Sequence, residues 1–429
     1  MKTPKSRLPI KQHRIRIVFL IFVIFLSIIG IFSVVRYINL NKAKKQQDSV
    51  QAFYDIPSSL PSEKAGYLIK TELMDITVPG GGSAYRILYV SQLANGGTAV
   101  SSGMIFIPNT TVPSEGRKVV AWAHGTLGFS DDCTPSRSQK PLGDMTNWID
   151  AMMQRGWIVA ATDYVGIGTS GNPYYLIGKS EANDVINSVR AARNFNKADA
   201  SNQFAVWGHS QGGHSALFTG IYAKDYAPEL NLVAVAVAAP AAELNALFNE
   251  QYDKTVAWAI GPDTAVSWPL IYPNLSLSTV ISDKGLKSYK RNAYGCVMKQ
   301  IGELEIRAAF KENFFKINPM SNEQWYYASK EQTPSMGEIK IPLYVAQGLK
   351  DTVVLPDTTA LLVQKACVAG VNTTTNWLGD TTHMQVAMVA GPSVTAWLQD
   401  RFNGLTATNS CQQILPVTPA LEPHDPAKL

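Results

Sequence analysis

The stretch Trp207-Gly208-His209-Ser210-Gln211-Gly212-Gly213 decides how this chain is read. It follows the apolar run Phe204-Ala205-Val206 and precedes Ser215-Ala216-Leu217-Phe218, which can start a helix. Gly208 to Gly212 fits G-x-S-x-G, a strand–turn–helix elbow that lifts a serine hydroxyl clear of a sheet. The turn is tight, and a side chain at either flanking glycine would collide with the neighbouring strand or helix. A plain Gly-rich turn gives the same pentapeptide in a chain with 31 glycines, so the remaining residues must supply partners for the serine.

Working outward, Ala84 to Val90 and Thr98 to Pro108 read as strands separated by the turn signal Asn95-Gly96-Gly97. Lys118-Val119-Val120-Ala121-Trp122-Ala123 reads as a buried strand ending in His124-Gly125-Thr126. A helical pattern over Asn147 to Arg155, a strand over Trp157 to Thr162, a helix over Glu181 to Asn194 and a strand over Leu232 to Ala239 follow. This alternation predicts an α/β fold, a mostly parallel sheet with helices on both faces. From residue 240 to about 339 the rhythm breaks, and aromatics crowd the chain: Phe248, Trp258, Trp268, Phe314, Phe315 and Trp325 among them. That stretch reads as an inserted, mainly helical cap whose aromatics would line an acyl tunnel or, taken singly, equally make the ordinary core of the cap. The sheet resumes with Ile341 to Gln347, a helix follows over Asp357 to Ala369, and a strand near Thr375 to Leu378 leads to Thr382-His383 and a further helix.

A serine nucleophile needs a base within hydrogen-bond reach, and the base needs a third group to orient it. The chain has 6 histidines. His13 precedes the long apolar run near the N-terminus, and His424 is in a Pro-rich tail. His209 lies inside the elbow and points away from the next residue's hydroxyl. His214 packs one turn beyond the serine, and His124 ends a strand. His383, in a loop late in the chain, remains. The nucleophile-elbow order Ser, Asp or Glu, His then selects Asp351, which follows a sheet strand, over Asp380, which is too close in sequence to His383. The oxyanion donors would be the backbone N–H of Gln211 and a group of Thr126. Gly166-Ile167-Gly168-Thr169-Ser170-Gly171 matches G-x-G-x-x-G, but a loop rather than a helix follows, so no dinucleotide site is expected. No zinc or Walker-type motif is present, and the chemistry requires no metal or cofactor.

Together these pieces resemble the secretory lipase family. The likeness runs from about Phe53 to Cys411. It rests on Tyr85 to Pro108, His124-Gly125-Thr126 with Cys133-Thr134-Pro135-Ser136, and Asp163-Tyr164-Val165-Gly166. It continues through Ala182 to Arg193, the elbow, Asp351-Thr352-Val353-Val354 and Thr382-His383. The resemblance implies an α/β-hydrolase with an inserted helical cap that hydrolyses carboxylic esters, acylglycerols included. It carries nucleophile, acid and base onto Ser210, Asp351 and His383. The 4 cysteines form no C-x-x-C and leave three disulfide connectivities open; the resemblance implies Cys133 with Cys296 and Cys367 with Cys411. The oxyanion loop varies in this family.

Ten of the 38 Lys and Arg fall in the first 45 residues, which contain no acid; the remaining chain has 28 basic against 33 acidic residues. No nucleic-acid groove is implied. Between the basic clusters, Ile17 to Val35 is uncharged and as a helix would span about 29 Å, close to a bilayer core. The expectation is a single N-terminal transmembrane signal-anchor with the catalytic body exported; the alternative is secretion after signal cleavage. The chain then divides into a basic tail (1–16), the anchor (17–35), a linker (36–61), a first core part (62–239), the cap (240–339), a second core part (340–411) and a loosely held Pro-rich tail (412–429). The function expected is a serine carboxylic-ester hydrolase taking small-molecule or lipid esters. Alternatives on the same fold are an acyltransferase, a peptidase or a non-catalytic exported binding module. Oligomeric state is not readable from the sequence.

Overall fold

The computed structural model describes residues 47–60 and 62–428, with scattered positions before residue 47. The chain divides into two compact units, Met1–Ala52 and Phe53–Leu429. In the first, the described residues are helical. Among the described residues, no helix is long and apolar enough to cross a membrane. The expected transmembrane anchor over 17–35 is therefore corrected: it has no support in the fold, and most of that run lies outside the described residues.

The second unit is built on one nine-stranded sheet in the order β1-β2-β3-β5-β4-β6-β7-β8-β9. β1 (Leu68–Leu73), β2 (Gly82–Gln92) and β3 (Thr98–Pro108) form an antiparallel meander, and β3 pairs antiparallel with β5 (Ile158–Thr162). From there every pairing is parallel, through β4 (Arg117–Ala123), β6 (Ala200–His209), β7 (Asn231–Ala238), β8 (Leu343–Gly348) and β9 (Thr373–Leu378). β4 shows why. Val119 to Ala123 are all buried, so the strand is covered on both faces and reads as a continuous apolar run rather than an alternating one.

Helices cover the sheet. α1 (Ile149–Gln154) and α11 (His383–Phe402) touch each other, as do α2 (Gly178–Arg193) and α3 (Gln211–Tyr226). Trp122 on β4 packs edge-on to Trp148, with ring centroids 4.9 Å apart, and lies 5.9 Å from Trp207. Burying each such ring contributes about 2–3 kcal/mol.

Between β7 and β8 run α4 (Leu244–Gln251), α5 (Ala257–Ser267), α6 (Leu277–Val280), α7 (Asp283–Ala293), α8 (Val297–Ala309) and α9 (Glu323–Glu331). Their aromatics pack on each other: Phe248 lies 5.6 Å from Trp268, Phe314 5.2 Å from Trp258, and Phe315 5.8 Å from Trp325. They make the core of this helical layer rather than an acyl tunnel.

Cys133, after β4, is bonded to Cys296 at the root of α8, and Cys367 in α10 (Pro356–Val368) is bonded to Cys411. The tail is strapped down rather than loose. Ala420 N–H donates to Asp357 O at 3.0 Å, Lys365 pairs with Glu422, and Tyr327 on α9 donates to Asp425 at 3.0 Å.

Candidate active site

Parallel strands all end at one edge of the sheet, and in open α/β sheets that carboxyl edge is where ligands bind. β6 arrives there at His209, and α3 starts two residues later at Gln211. Ser210 bridges them with φ 56° and ψ −116°. A non-glycine residue in that region costs on the order of 1–3 kcal/mol and persists only where its surroundings hold it. The holding is visible at the glycines: a Cβ on Gly208 would sit 2.0 Å from Gly212 O, and one on Gly212 would sit 1.8 Å from Ala123 O. Strand, elbow and helix approach as closely as backbone allows.

His383 opens α11. The preceding Thr382 donates its N–H to Gln385 Oε1 at 3.2 Å and its hydroxyl to the same oxygen at 2.8 Å, a cap that fixes the first helical turn. Asp351 lies in the loop after β8. Its Oδ1 accepts the N–H groups of Val353 and Val354 at 2.8 and 3.0 Å. The loops carrying Asp351 and His383 are also tied directly, Lys350 N–H donating to Thr381 O at 3.1 Å.

These loops bring three side chains into one line. His383 Nδ1 lies 2.7 Å from Asp351 Oδ2, and His383 Nε2 lies 3.0 Å from Ser210 Oγ. A carboxylate only accepts, so Nδ1 carries the proton and Nε2 is left as the acceptor facing the hydroxyl. Ser210, Asp351 and His383 are all buried, at 7%, 3% and 7% exposure. Burial holds the His383 imidazole below the ordinary histidine range; the hydrogen bond and charge of Asp351 oppose this without overcoming it. The ring is thus a free base at neutral pH.

The other sequence candidates fall elsewhere. Asp380 is exposed, and His424 is exposed in the tail. His214 is wholly buried between Glu181 Oε2 at 3.1 Å and Gln332 O at 2.8 Å. His124 Nδ1 donates to Gly125 O at 2.7 Å. His13 lies outside the described residues. The Gly166–Gly171 run lies between β5 and α2 and opens no helix of its own; α2 starts only at Gly178. Among the described residues, no group of three or more His, Cys, Asp or Glu could hold a metal ion.

Gln211 is the first residue of α3, so its N–H is one of the helix donors without an intrahelical acceptor. Its side chain is occupied, donating to Glu181 Oε1 at 2.7 Å. Thr126 stands in the same cavity wall as Ser210, but its hydroxyl is engaged with Tyr175 Oη at 2.9 Å.

A cavity of about 200 Å³ opens over Ser210 and His383. The sheet domain supplies Met104, Trp122 and Leu142, and the helical layer supplies Val256, Ile260 and Leu304. The walls are mainly apolar, with Ser210 and His383 at one end. Sequence reasoning missed Asp144, which lines this cavity and bonds His209 Nδ1 at 2.8 Å. It sits in a short 3-10 turn, Gly143–Asn147, where no periodicity or motif marks it.

Comparison with known proteins agrees with the fold. The chain is 24% identical over 400 residues to Lipase 5 of Candida albicans, covering 85% of this chain and 83% of that protein. It is 21% identical over 396 residues to a probable inactive lipase of Mycobacterium tuberculosis, covering 86% and 85%. Among solved structures it matches Candida antarctica lipase A in its closed state with a TM-score of 0.67 at 18% identity, over 86% of this chain and 90% of that one. It also matches the rice cell wall degrading esterase LipA of Xanthomonas oryzae with a TM-score of 0.65 at 18% identity, over 80% and 99%. Those structures share the fold. The family model for secretory lipases matches residues 143–410, which hold the elbow, the helical layer and both loops, and the chain accordingly belongs to the secretory lipase family and is a carboxylic ester hydrolase of the lipase and esterase kind.

Proposed function

We propose that Ser210, His383 and Asp351 hydrolyse carboxylic esters through an acyl-enzyme. The observation that carries this reading is the His383 ring, hydrogen-bonded on one side to a buried carboxylate and on the other to a strained serine. Ser210 Oγ attacks the ester carbonyl while His383 Nε2 takes its proton. The imidazolium then gives that proton to the leaving alkoxide. Asp351 holds the Nδ1–H tautomer throughout and stabilises the positive ring. Water repeats the sequence on the acyl-enzyme, with His383 again as base. The developing oxyanion is held by the N–H groups of Gln211 and Thr126, each donor contributing about 3–4 kcal/mol to the transition state. The acyl chain occupies the apolar cavity, which suits a lipid or other hydrophobic ester. We read residues 240–339 as the cap over this site. The secretory family and the two disulfides support an exported protein.

The test is a p-nitrophenyl ester series from acetate to long chains, run with wild type and Ser210→Ala. Wild type should turn over and be labelled stoichiometrically by a fluorophosphonate; Ser210→Ala should do neither. Equal turnover by the two proteins would end the proposal. Added alcohols that divert product into new esters would move the reading to acyl transfer.

A further inference from the structure

Beside the proposed triad stands a second carboxyl–imidazole pair that hydrolysis as written does not use. Asp144 Oδ2 lies 2.8 Å from His209 Nδ1, and His209 Nε2 lies 3.1 Å from the backbone carbonyl of His383. The His209 and His383 rings are 4.9 Å apart between centroids. A carbonyl oxygen only accepts, so Nε2 of His209 carries a proton; a carboxylate only accepts, so Nδ1 carries another whenever Asp144 is ionised. Burial pushes the Asp144 carboxyl up, but the hydrogen bond and charge of His209, with the charges of His124 and His383, outweigh it and hold the group below the ordinary carboxylate range. The pair is therefore a dipole with its positive end against His383 and its negative end behind. The charged and titratable groups around it are Asp144 from the 3-10 turn, His124 from the end of β4, His383 at the start of α11, and Asp351 beyond His383.

We infer that Asp144 and His209 are positioning residues for His383, fastening the base by its own carbonyl and setting a positive charge beside its ring. The inference rests on the reading of His383 as the base. The fastening holds the first residue of α11, from which the imidazole must reach both Ser210 and Asp351. The charge opposes protonation of that imidazole, so His383 stays a free base at lower pH.

The two effects separate by substitution. His209→Phe keeps a ring but loses fastening and charge. His209→Gln restores a donor near the Nε2 position without the charge. Asp144→Asn can donate to a neutral His209 Nδ1 while Nε2–H keeps the carbonyl, so it removes charge and leaves the fastening. Profiles of kcat and kcat/KM against pH are measured on the full chain with a short-chain p-nitrophenyl ester. His209→Phe should lower kcat by about tenfold or more with little change in KM, and His209→Gln should recover most of it. Asp144→Asn and His209→Gln should both move the acid limb of kcat/KM to higher pH by roughly half a unit. An Asp144→Asn profile that superimposes on wild type, or a His209→Gln no better than His209→Phe, would overturn the inference. Should His209→Phe fail to fold by near-ultraviolet circular dichroism, Asp144→Asn and His209→Gln decide alone. An inert Ser210→Ala with indifferent His209 and Asp144 variants sinks this pair only; an active Ser210→Ala sinks the triad beneath it.

Discussion

Replacing Asp351 by Asn changes one atom and should disable the base through its tautomer. The orientation of the new amide is set by the loop. Oδ1 accepts two backbone N–H groups, from Val353 and Val354 at 2.8 and 3.0 Å, so the amide oxygen must stay there. The NH2 group then faces His383 Nδ1, at the place where Asp351 Oδ2 now stands 2.7 Å away. It donates, so Nδ1 becomes the acceptor and the ring proton moves to Nε2. That nitrogen then points a proton at Ser210 Oγ and cannot take one. Flipping the amide to recover the working tautomer would strand two backbone N–H donors, one buried and one partly buried, at about 1–3 kcal/mol each. A total of about 2–6 kcal/mol corresponds to a productive fraction lowered roughly 30-fold to 10⁴-fold. The assay is kcat on a p-nitrophenyl ester, beside fluorophosphonate labelling rate and melting temperature. Asp351→Asn should melt near wild type and lose activity within that range. A folded Asp351→Asn within fivefold of wild-type kcat would refute the tautomer argument.

Other perturbations follow from the same coordinates. Gly212→Ala places a Cβ 1.8 Å from Ala123 O and should yield no soluble folded protein, whereas Gly337→Ala, with nothing within 4 Å, should express and melt like wild type. Asp184 is wholly buried and its carboxyl is pushed up to about 7, by burial against the opposing hydrogen bonds of Ser91 and Val165. The folded state therefore holds this proton more tightly than the unfolded chain, at about 3.9; the resulting stability is full below pH 4 and is lost as pH rises through 7. The melting temperature of Asp184→Asn relative to wild type should accordingly rise between pH 5 and pH 8, and a difference constant across that interval would contradict the assignment. Ile260→Trp fills part of the cavity wall, and should lower kcat/KM for long acyl chains relative to acetate by about tenfold or more. An unchanged chain-length ratio would place the acyl group elsewhere.

Much of the frame was legible because its rules are local. Apolar runs such as Val119 to Ala123 mark strands buried on both faces, and glycines mark the elbow. Chain order and elimination were enough to pick Ser210, Asp351 and His383, which the fold brings together. The first strand, Leu68–Leu73, escaped notice because it lies at the sheet edge, half exposed, where no apolar pattern is imposed. Composition does not decide between the two readings of the aromatics from 240 to 339, because a ring filling a core and a ring lining a cavity look the same in sequence. Asp144 could not be found, since its meaning comes from a contact across 65 positions. Thr126, expected as an oxyanion donor, lines the cavity with its hydroxyl hydrogen-bonded to Tyr175, a contact that its neighbours in sequence do not mark.

The root of α8 is fastened to the loop that carries Gly125 and Thr126. Val297 N–H donates to Leu127 O at 2.8 Å, Phe129 N–H donates to Ala293 O at 2.8 Å, and the Cys133–Cys296 bond lies alongside. Anchored in this way, the first turn of α8 and the segment from Gly125 to Cys133 form one braced unit: a displacement of either is transmitted to the other through two backbone hydrogen bonds and a covalent bond.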